Sequence, residues 1–410
     1  MLLTHKPLSN IVEAHITRAT GGSKEQFIGE ALFGSRFQRL SFLPIHEIGM
    51  GPPQKGTVME NVLELAKTIP PLDRAAAEQA TARQLQLTKP TGSLGRLEAI
   101  AIQMAGITGE VMPIVPLKAV IVMAADHGVT AEGVSAYPPA VTPQMVYNFL
   151  REGAAINALS RQAGAEVIVV DVGVTAELAH PHLLSRKIRM GTANMAHGPA
   201  MTREETLQAT AVGIEVLESL IGRGIDLLAI GEMGIGNTTA ASAITAILAG
   251  VPVELVTGRG TGINDEQLTH KVRVIERALA HNKPDANDPI DVLAKVGGLE
   301  IAGLVGVIIA AAARRIPVVL DGFISGAAAL VAFGLNPAVR DYLFAGHVSV
   351  ERGHQIILEK LGLFPLLDLE LRLGEGTGAV LAMHIIEGAL RTHGEMATFA
   401  QAGVSNREEG

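Results

Sequence analysis

At 410 residues the chain is long enough for one large domain with a smaller one beside it, and for an ample core. Its formal net charge of -8 comes without a long acidic run or a basic patch interleaved with aromatics, which argues against nucleic acid or another polyelectrolyte as partner. The absence of cysteine excludes disulfides, thiol catalysis and thiolate metal sites, and fits a reducing compartment.

Residues 1–58 mix Gly21-Gly22, several phenylalanines and Met50-Gly51-Pro52-Pro53 without a sustained period or a signal-peptide pattern. They read as an amino-terminal appendage, an over-extended start with Met59 as the candidate true one. Residues 59–404 then form the main body and 405–410 a tail. From Met59 a helical pattern places Val62, Leu63, Leu65 and Ala66 on its apolar positions and stops at Ile69-Pro70-Pro71. Asp73 is suited to cap a second, alanine-rich helix that reaches Leu87.

From about residue 117, apolar strand-like runs alternate with helices. Lys118 to Ala125 leads into Asp126-His127-Gly128, and Glu166 to Val170 into Asp171-Val172-Gly173. Asp226 to Ile230 leads into the loop 231–239, and Ile316 to Leu320 into Asp321-Gly322, with a helix from about Ser325. Near-continuous apolar strands, each followed by a helix, predict an α/β fold with a parallel sheet covered on both faces. Helices near the two ends of the main body are expected to form a smaller domain or a lid. Ile301 to Ala313 has no polar side chain, but a membrane span needs ~20 residues, so a core helix is expected. No membrane partner is expected, and a cytoplasmic location is.

Three glycine loops carry the chemistry. Leu366 to Leu373 alternates as a strand would, and after Gly378 a helix is expected to run to about Gly388. Between them, Gly374-Glu375-Gly376-Thr377-Gly378 holds one carboxylate on a turn at the carboxyl end of a strand, where open α/β sheets bind ligands. Glu375 is read as catalytic. In Gly231-Glu232-Met233-Gly234-Ile235-Gly236-Asn237-Thr238-Thr239, glycines admit an anion to backbone N–H groups, and Asn237, Thr238 and Thr239 can cap the following helix. The spacing matches neither dinucleotide nor Walker loops. Glu232 would be unfavourable beside a phosphate unless it had another task. The third loop, Thr257 to Asp265, precedes a helix with Lys271, which is a phosphate counter-charge or equally a solvated helix lysine. Ser349 can add a hydroxyl donor.

No HExxH spacing occurs, and His180-Pro181-His182 reads as a solvated connection. Asp126-His127, Asp171 and Asp321 read as satisfied polar residues at strand ends, and neither a catalytic metal nor a cofactor is expected.

Five motifs in one order resemble the nicotinate-nucleotide:dimethylbenzimidazole phosphoribosyltransferase family. They are Thr88 to Glu98 (TKPTGSLGRLE), Ala125 to Val129 with Val141 to Met145, Gly231 to Thr239, Asp321 to Ser325, and Leu373 to Gly378. The resemblance covers roughly Met59 to Val404, and residues 1–58 have no counterpart in it. It implies a Rossmann-like parallel sheet flanked by helices, a smaller, mainly helical domain, and a homodimer. It implies transfer of phosphoribose from nicotinate mononucleotide to 5,6-dimethylbenzimidazole, giving nicotinate and the α-ribazole 5′-phosphate used in the lower loop of cobalamin. The family's essential glutamate falls on Glu375 and a second functional one on Glu232. Its phosphate contacts fall near Gly234, Lys271 and Ser349, with Gly236 and Asn237 in the same loop, and its base pocket near Gln144 and Leu373.

Overall fold

The structure, a computed structural model, describes residues 57–260 and 262–405, with side chains from Val62 onward. Residues 1–56 and 406–410, and with them nearly all of the expected appendage and tail, lie outside the described residues.

Helices α1 (Thr57–Lys67), α2 (Arg74–Gln86) and α3 (Arg96–Thr108) precede strand β1 (Lys118–Ala125). Helices α4 (Val141–Leu150) and α5 (Ala155–Ala163) lead to β2 (Ala165–Gly173) and β3 (Leu183–Ser185), and α6 (Arg203–Ile221) leads to β4 (Leu227–Met233). Then follow α7 (Asn237–Ala249), α8 (Val253–Val256), α9 (Asp265–Asn282), α10 (Pro289–Val296), α11 (Leu299–Ala313) and β5 (Val318–Leu320). The chain continues with α12 (Phe323–Leu335), β6 (Leu343–Ala345), α13 (Arg352–Leu361), α14 (Thr377–Glu395) and α15 (Phe399–Ala402).

The strands form one sheet in the order β3-β2-β1-β4-β5-β6, and every pairing is parallel. The order reverses between β1 and β4. That is the topological switch point of a Rossmann-like sheet, and a crevice opens there beyond the carboxyl ends of the strands. The expected strands are β1, β2, β4 and β5. β3 and β6 have three residues each, too few to leave a pattern.

The apolar run 301–313 is the body of α11, almost wholly buried against the sheet and α6. Burying one leucine- or isoleucine-sized side chain there contributes about 1.5–3 kcal/mol. Asp73 caps α2 as expected, accepting from the Ala76 amide at 3.0 Å. Helices from the two ends of the chain meet: α2 packs on α3, and α3 packs on α14. Arg83 Nε donates to the His393 carbonyl at 2.8 Å, and Leu87 bridges to Thr398. α14 also lies on β4 and β5, so this helical group is joined to the sheet.

Two local expectations are corrected. Residues 366–373 are not a strand but an extended segment beside 345–350, bonded from Leu366 N to Ala345 O and from Val350 N to Leu371 O. Glu370, at φ 55°, breaks the extended conformation, and Leu369 and Leu373 are exposed despite the alternation. Helix α14 runs through Gly388 to Glu395, where Met396 turns to extended backbone.

Candidate active site

A cavity of about 510 Å³ opens at the switch point. Its floor is the end of β4 and the following turn, which place Glu232, Met233, Gly234, Ile235, Asn237 and Thr238 on the wall. Asp321, Gly322 and Phe323 come from the end of β5, His347, Ser349 and Glu351 from the segment after β6, and Leu373, Gly374 and Glu375 from the turn before α14. Tyr137, Val141 and Met145 close one side.

Glu375 sits on a turn whose three residues all have left-handed backbone, with φ of 87° at Gly374, 65° at Glu375 and 92° at Gly376. Such a conformation is cheap for glycine and costs other residues about 1–3 kcal/mol. Asp321 holds it in place. Its Oδ2 accepts from the Gly376 amide at 3.1 Å, and its Oδ1 accepts from the Gly378 and Ala379 amides at 2.7 and 3.1 Å. A carboxylate on the first amides of α14 satisfies groups that a helix start leaves unpaired, and the helix dipole favours it. His347 Nε2 lies 3.5 Å from the same Asp321 oxygen. Burial opposes charge on His347, but the bond to Asp321 and its charge outweigh that and raise its pKa.

The Glu375 carboxylate is buried and, among the described residues, accepts one weak bond, from the Ile156 amide at 3.4 Å. Its pKa is pushed up to about 6, first by burial and then by the charge of Asp321, with the Ile156 bond opposing. Glu232 is pushed further, to about 8, by burial and by the charges of Glu300, Asp321 and Glu375, against a hydrogen bond from Asn237. The site thus holds two carboxyl groups whose environments push their pKa values up to different extents.

A family model described as Phosphoribosyltransferase matches residues 69–404. The chain is 61% identical over 342 residues to the nicotinate-nucleotide–dimethylbenzimidazole phosphoribosyltransferase of Chloroflexus aggregans, covering 83% of this chain and 97% of that protein. The chain belongs to this family of phosphoribosyltransferases. A relative of the same name from Geobacter sulfurreducens is 58% identical over 348 residues, 85% of this chain and 99% of its own. The solved structure of CobT from Thermus thermophilus superimposes with a TM-score of 0.79 at 53% identity, covering 81% of this chain and all of that one. The enzyme is therefore a transferase.

Against this framework, Glu375, Glu232, Gly234, Asn237, Ser349 and Leu373 line the one cavity. Gly236 is the residue from which α7 starts, and it packs on Thr130 and His127 rather than facing the cavity. Lys271, buried in α9, reaches the rim by donating from Nζ to Thr238 Oγ1 at 2.8 Å. Burial lowers its pKa to about 8, with the charge of Glu351 opposing. It is no solvated helix lysine. Gln144 is exposed and not part of the cavity wall, whereas Val141 and Met145, one turn apart on α4, are part of it.

The expected capping by Asn237, Thr238 and Thr239 is corrected. Gly236 starts α7 without a side-chain cap, Asn237 Nδ2 donates to Glu232 Oε2, and Thr238 receives Lys271. Three amides of the turn are also occupied: Ile235 N donates to Thr142 Oγ1, Asn237 N to Gly234 O and Thr239 N to Gly236 O.

Asp126 and Asp171 are only partly satisfied at their strand ends: Asp171 Oδ2 lies 3.2 Å from Lys187 Nζ, whereas Asp126 Oδ1 is buried with no hydrogen-bond partner among the described residues. Asp126 Oδ2 accepts from the Thr175 amide and hydroxyl at 2.8 Å, and Asp171 Oδ1 accepts from the Val174 amide at 2.8 Å. His180 and His182 flank a surface connection before β3. Sequence reasoning missed His347 and Glu351 at the wall, and it missed Asp321 as the clamp of the Glu375 turn. Its one available signal was the acid at the end of an apolar strand.

Proposed function

We propose that the enzyme transfers phosphoribose from nicotinate mononucleotide to 5,6-dimethylbenzimidazole, yielding nicotinate and α-ribazole 5′-phosphate. The relatives' names and the motif order support this substrate pair. The observation that carries the mechanism is the partly desolvated Glu375 carboxylate, held by Asp321 on a turn at a cavity that is also lined by a helix start with a buried lysine bonded to it.

The nicotinate ring leaves as a pyridine with a neutral nitrogen, so departure needs no acid. The incoming benzimidazole attacks the anomeric carbon through one nitrogen while its other nitrogen still bears a proton. As the carbon–nitrogen bond forms, that N–H becomes acidic, and Glu375 removes the proton. A positioned base of this kind contributes about 10²- to 10⁴-fold. Attack from the face opposite the leaving group inverts the β-linked sugar and gives the α-product. The 5′-phosphate is held at the 234–238 turn with Lys271 and Ser349 as donors, so binding energy remote from the reacting carbon orients it. Tyr137, Val141, Met145 and Leu373 form the apolar wall for the aromatic acceptor.

Incubation with nicotinate mononucleotide and 5,6-dimethylbenzimidazole in the absence of metal, with mass detection of the product, tests the proposal. The expected product is α-ribazole 5′-phosphate. Absence of a ribazole phosphate with every benzimidazole acceptor would rule it out. The family resemblance also supports a homodimer, which sedimentation velocity of the full chain decides.

A further inference from the structure

His127 has a partner that the transfer chemistry above leaves unused. Its Nε2 lies 2.7 Å from Glu300 Oε1, and the two side chains are 1% and 0% exposed. Glu300 stands in the first turn of α11, and its Oε2 is buried with no hydrogen-bond partner among the described residues. The His127 ring lies under the turn between β4 and α7: a Cβ added to Gly234 would stand 3.4 Å from its Nε2, and one on Gly236 3.3 Å from its Cβ. A side chain at Gly298 would collide with both His127 and Glu300, so the backbone entering α11 makes room for the pair. A buried carboxylate with one idle oxygen is costly, and such a group calls for an explanation.

We propose that His127 and Glu300 are positioning residues for the transfer. The pair braces the Gly234–Asn237 turn from behind and sets a second buried carboxylate against Glu232, so that Glu232 meets the ribosyl group as a hydrogen-bond donor rather than as a second anion. The inference rests on the phosphoribosyl-transfer reading above.

Several groups face Glu232 or its surroundings. Glu300 comes from α11, Asp321 from the end of β5 with His347 bonded to it, Glu375 from the turn before α14 and the Asn237 amide from α7. Lys271 approaches from α9 through Thr238, and His127 is bonded to Glu300. After burial, the charge of Glu300 is the largest influence holding the proton on Glu232. One Glu232 oxygen takes the Asn237 amide. The other, Oε1, is directed at the Glu375 turn, 2.5 Å from where a Cβ on Gly374 would stand. A neutral Glu232 also removes the conflict of placing an anion beside a phosphate.

The test is an infrared pH titration of the unliganded protein, alone and with ¹³C-labelled glutamate, joined to the pH profile of kcat. The expected result is a protonated-carboxyl band that persists above neutral pH and is lost in Glu232→Gln. Glu300→Gln, which keeps the volume and the His127 bond, should lower the midpoint of that band by about one pH unit, a tenfold change in proton affinity. The alkaline limb of kcat should move with it. A lowered melting temperature with midpoint and limb unmoved would make the pair merely structural and overturn the proposal. Should Glu300→Gln not fold, the unmodified protein decides, because absence of a Glu232 band at neutral pH is equally fatal. The spectra need no substrate, so a failure of the proposed reaction is read separately, in the product assay.

Discussion

Gly231 lies directly against the backbone of Glu375, so closely that a Cβ on Gly231 would overlap the Glu375 carbonyl. The end of β4 therefore presses on the turn that carries Glu375, and Asp321 binds the same turn through three amides. The left-handed backbone of Glu375 persists because these two neighbours leave it no alternative.

Gly231→Ala should push the turn away from β4. A shift of about 1 Å at a reacting group can cost about 10²-fold in rate. Kinetics with melting measurements check this: the expected outcome is a large fall in kcat in a folded protein, and a normal kcat would show that the contact does not position Glu375.

Asp321→Asn replaces one of two acceptor oxygens with an NH₂ group facing backbone amides. Loss of hydrogen bonds to a charged group should cost about 1.5–3 kcal/mol of stability for each bond broken. Turnover should fall with it as the turn loosens. A chemical-denaturation midpoint equal to that of the unaltered protein would contradict the clamp.

Glu375→Gln keeps the shape and removes the base, so kcat should fall about 10²- to 10⁴-fold with nucleotide binding retained. In the unaltered enzyme the base must be ionised. Because its pKa is raised to about 6, kcat should rise as pH rises through about 6, ahead of the alkaline limb that loss of the Glu232 proton sets near 8. An acidic limb at the ordinary carboxylate pKa would place the base elsewhere.

Lys271→Ala should chiefly weaken nicotinate mononucleotide binding, by about tenfold or more for a charged hydrogen bond worth about 1.5–3 kcal/mol. Calorimetric titration is the direct measure, and an unchanged affinity would remove Lys271 from the phosphate site. Because burial brings Lys271 to about 8, affinity in the unaltered protein should also decline as pH rises through that value.

Glu232 predicts the pH dependence of stability in the unliganded protein. Unfolded, the group loses its proton near its ordinary pKa of 4.5, whereas folded it keeps the proton to about 8. Between those values the unfolded chain binds fewer protons, so the Glu232 contribution is full below 4.5 and is lost as pH rises to about 8. Glu98, Glu132, Asp291 and Glu387, with lowered pKa values, act in the opposite sense as pH falls. Thermal melts across pH should show a shallower decline for Glu232→Gln, and an identical slope would count against a protonated Glu232.

Local patterns were legible where local physics decides. The runs at 118–125 and 227–230 are apolar on both faces because a central parallel strand is covered twice, and Asp73 caps α2 by its own short side chain. The alternation at 366–373 misled because period 2 requires continuous extension, and Glu370 at φ 55° ends it. Asn237 resembles a cap in sequence, but Glu232, five residues earlier, takes its amide once β4 and α7 are folded together.

By itself the sequence determined the α/β class, four of the six strands, the glycine loops that bend towards a ligand, and two acids within them. Only the tertiary structure decided what those acids are. Glu375, Asp321 and Glu232 are separated by up to 143 residues, yet the parallel sheet brings them to one crevice. An isolated glutamate gives up its proton near 4.5, and the ionisation of Glu232 and Glu375 depends on burial and charges that no local pattern carries.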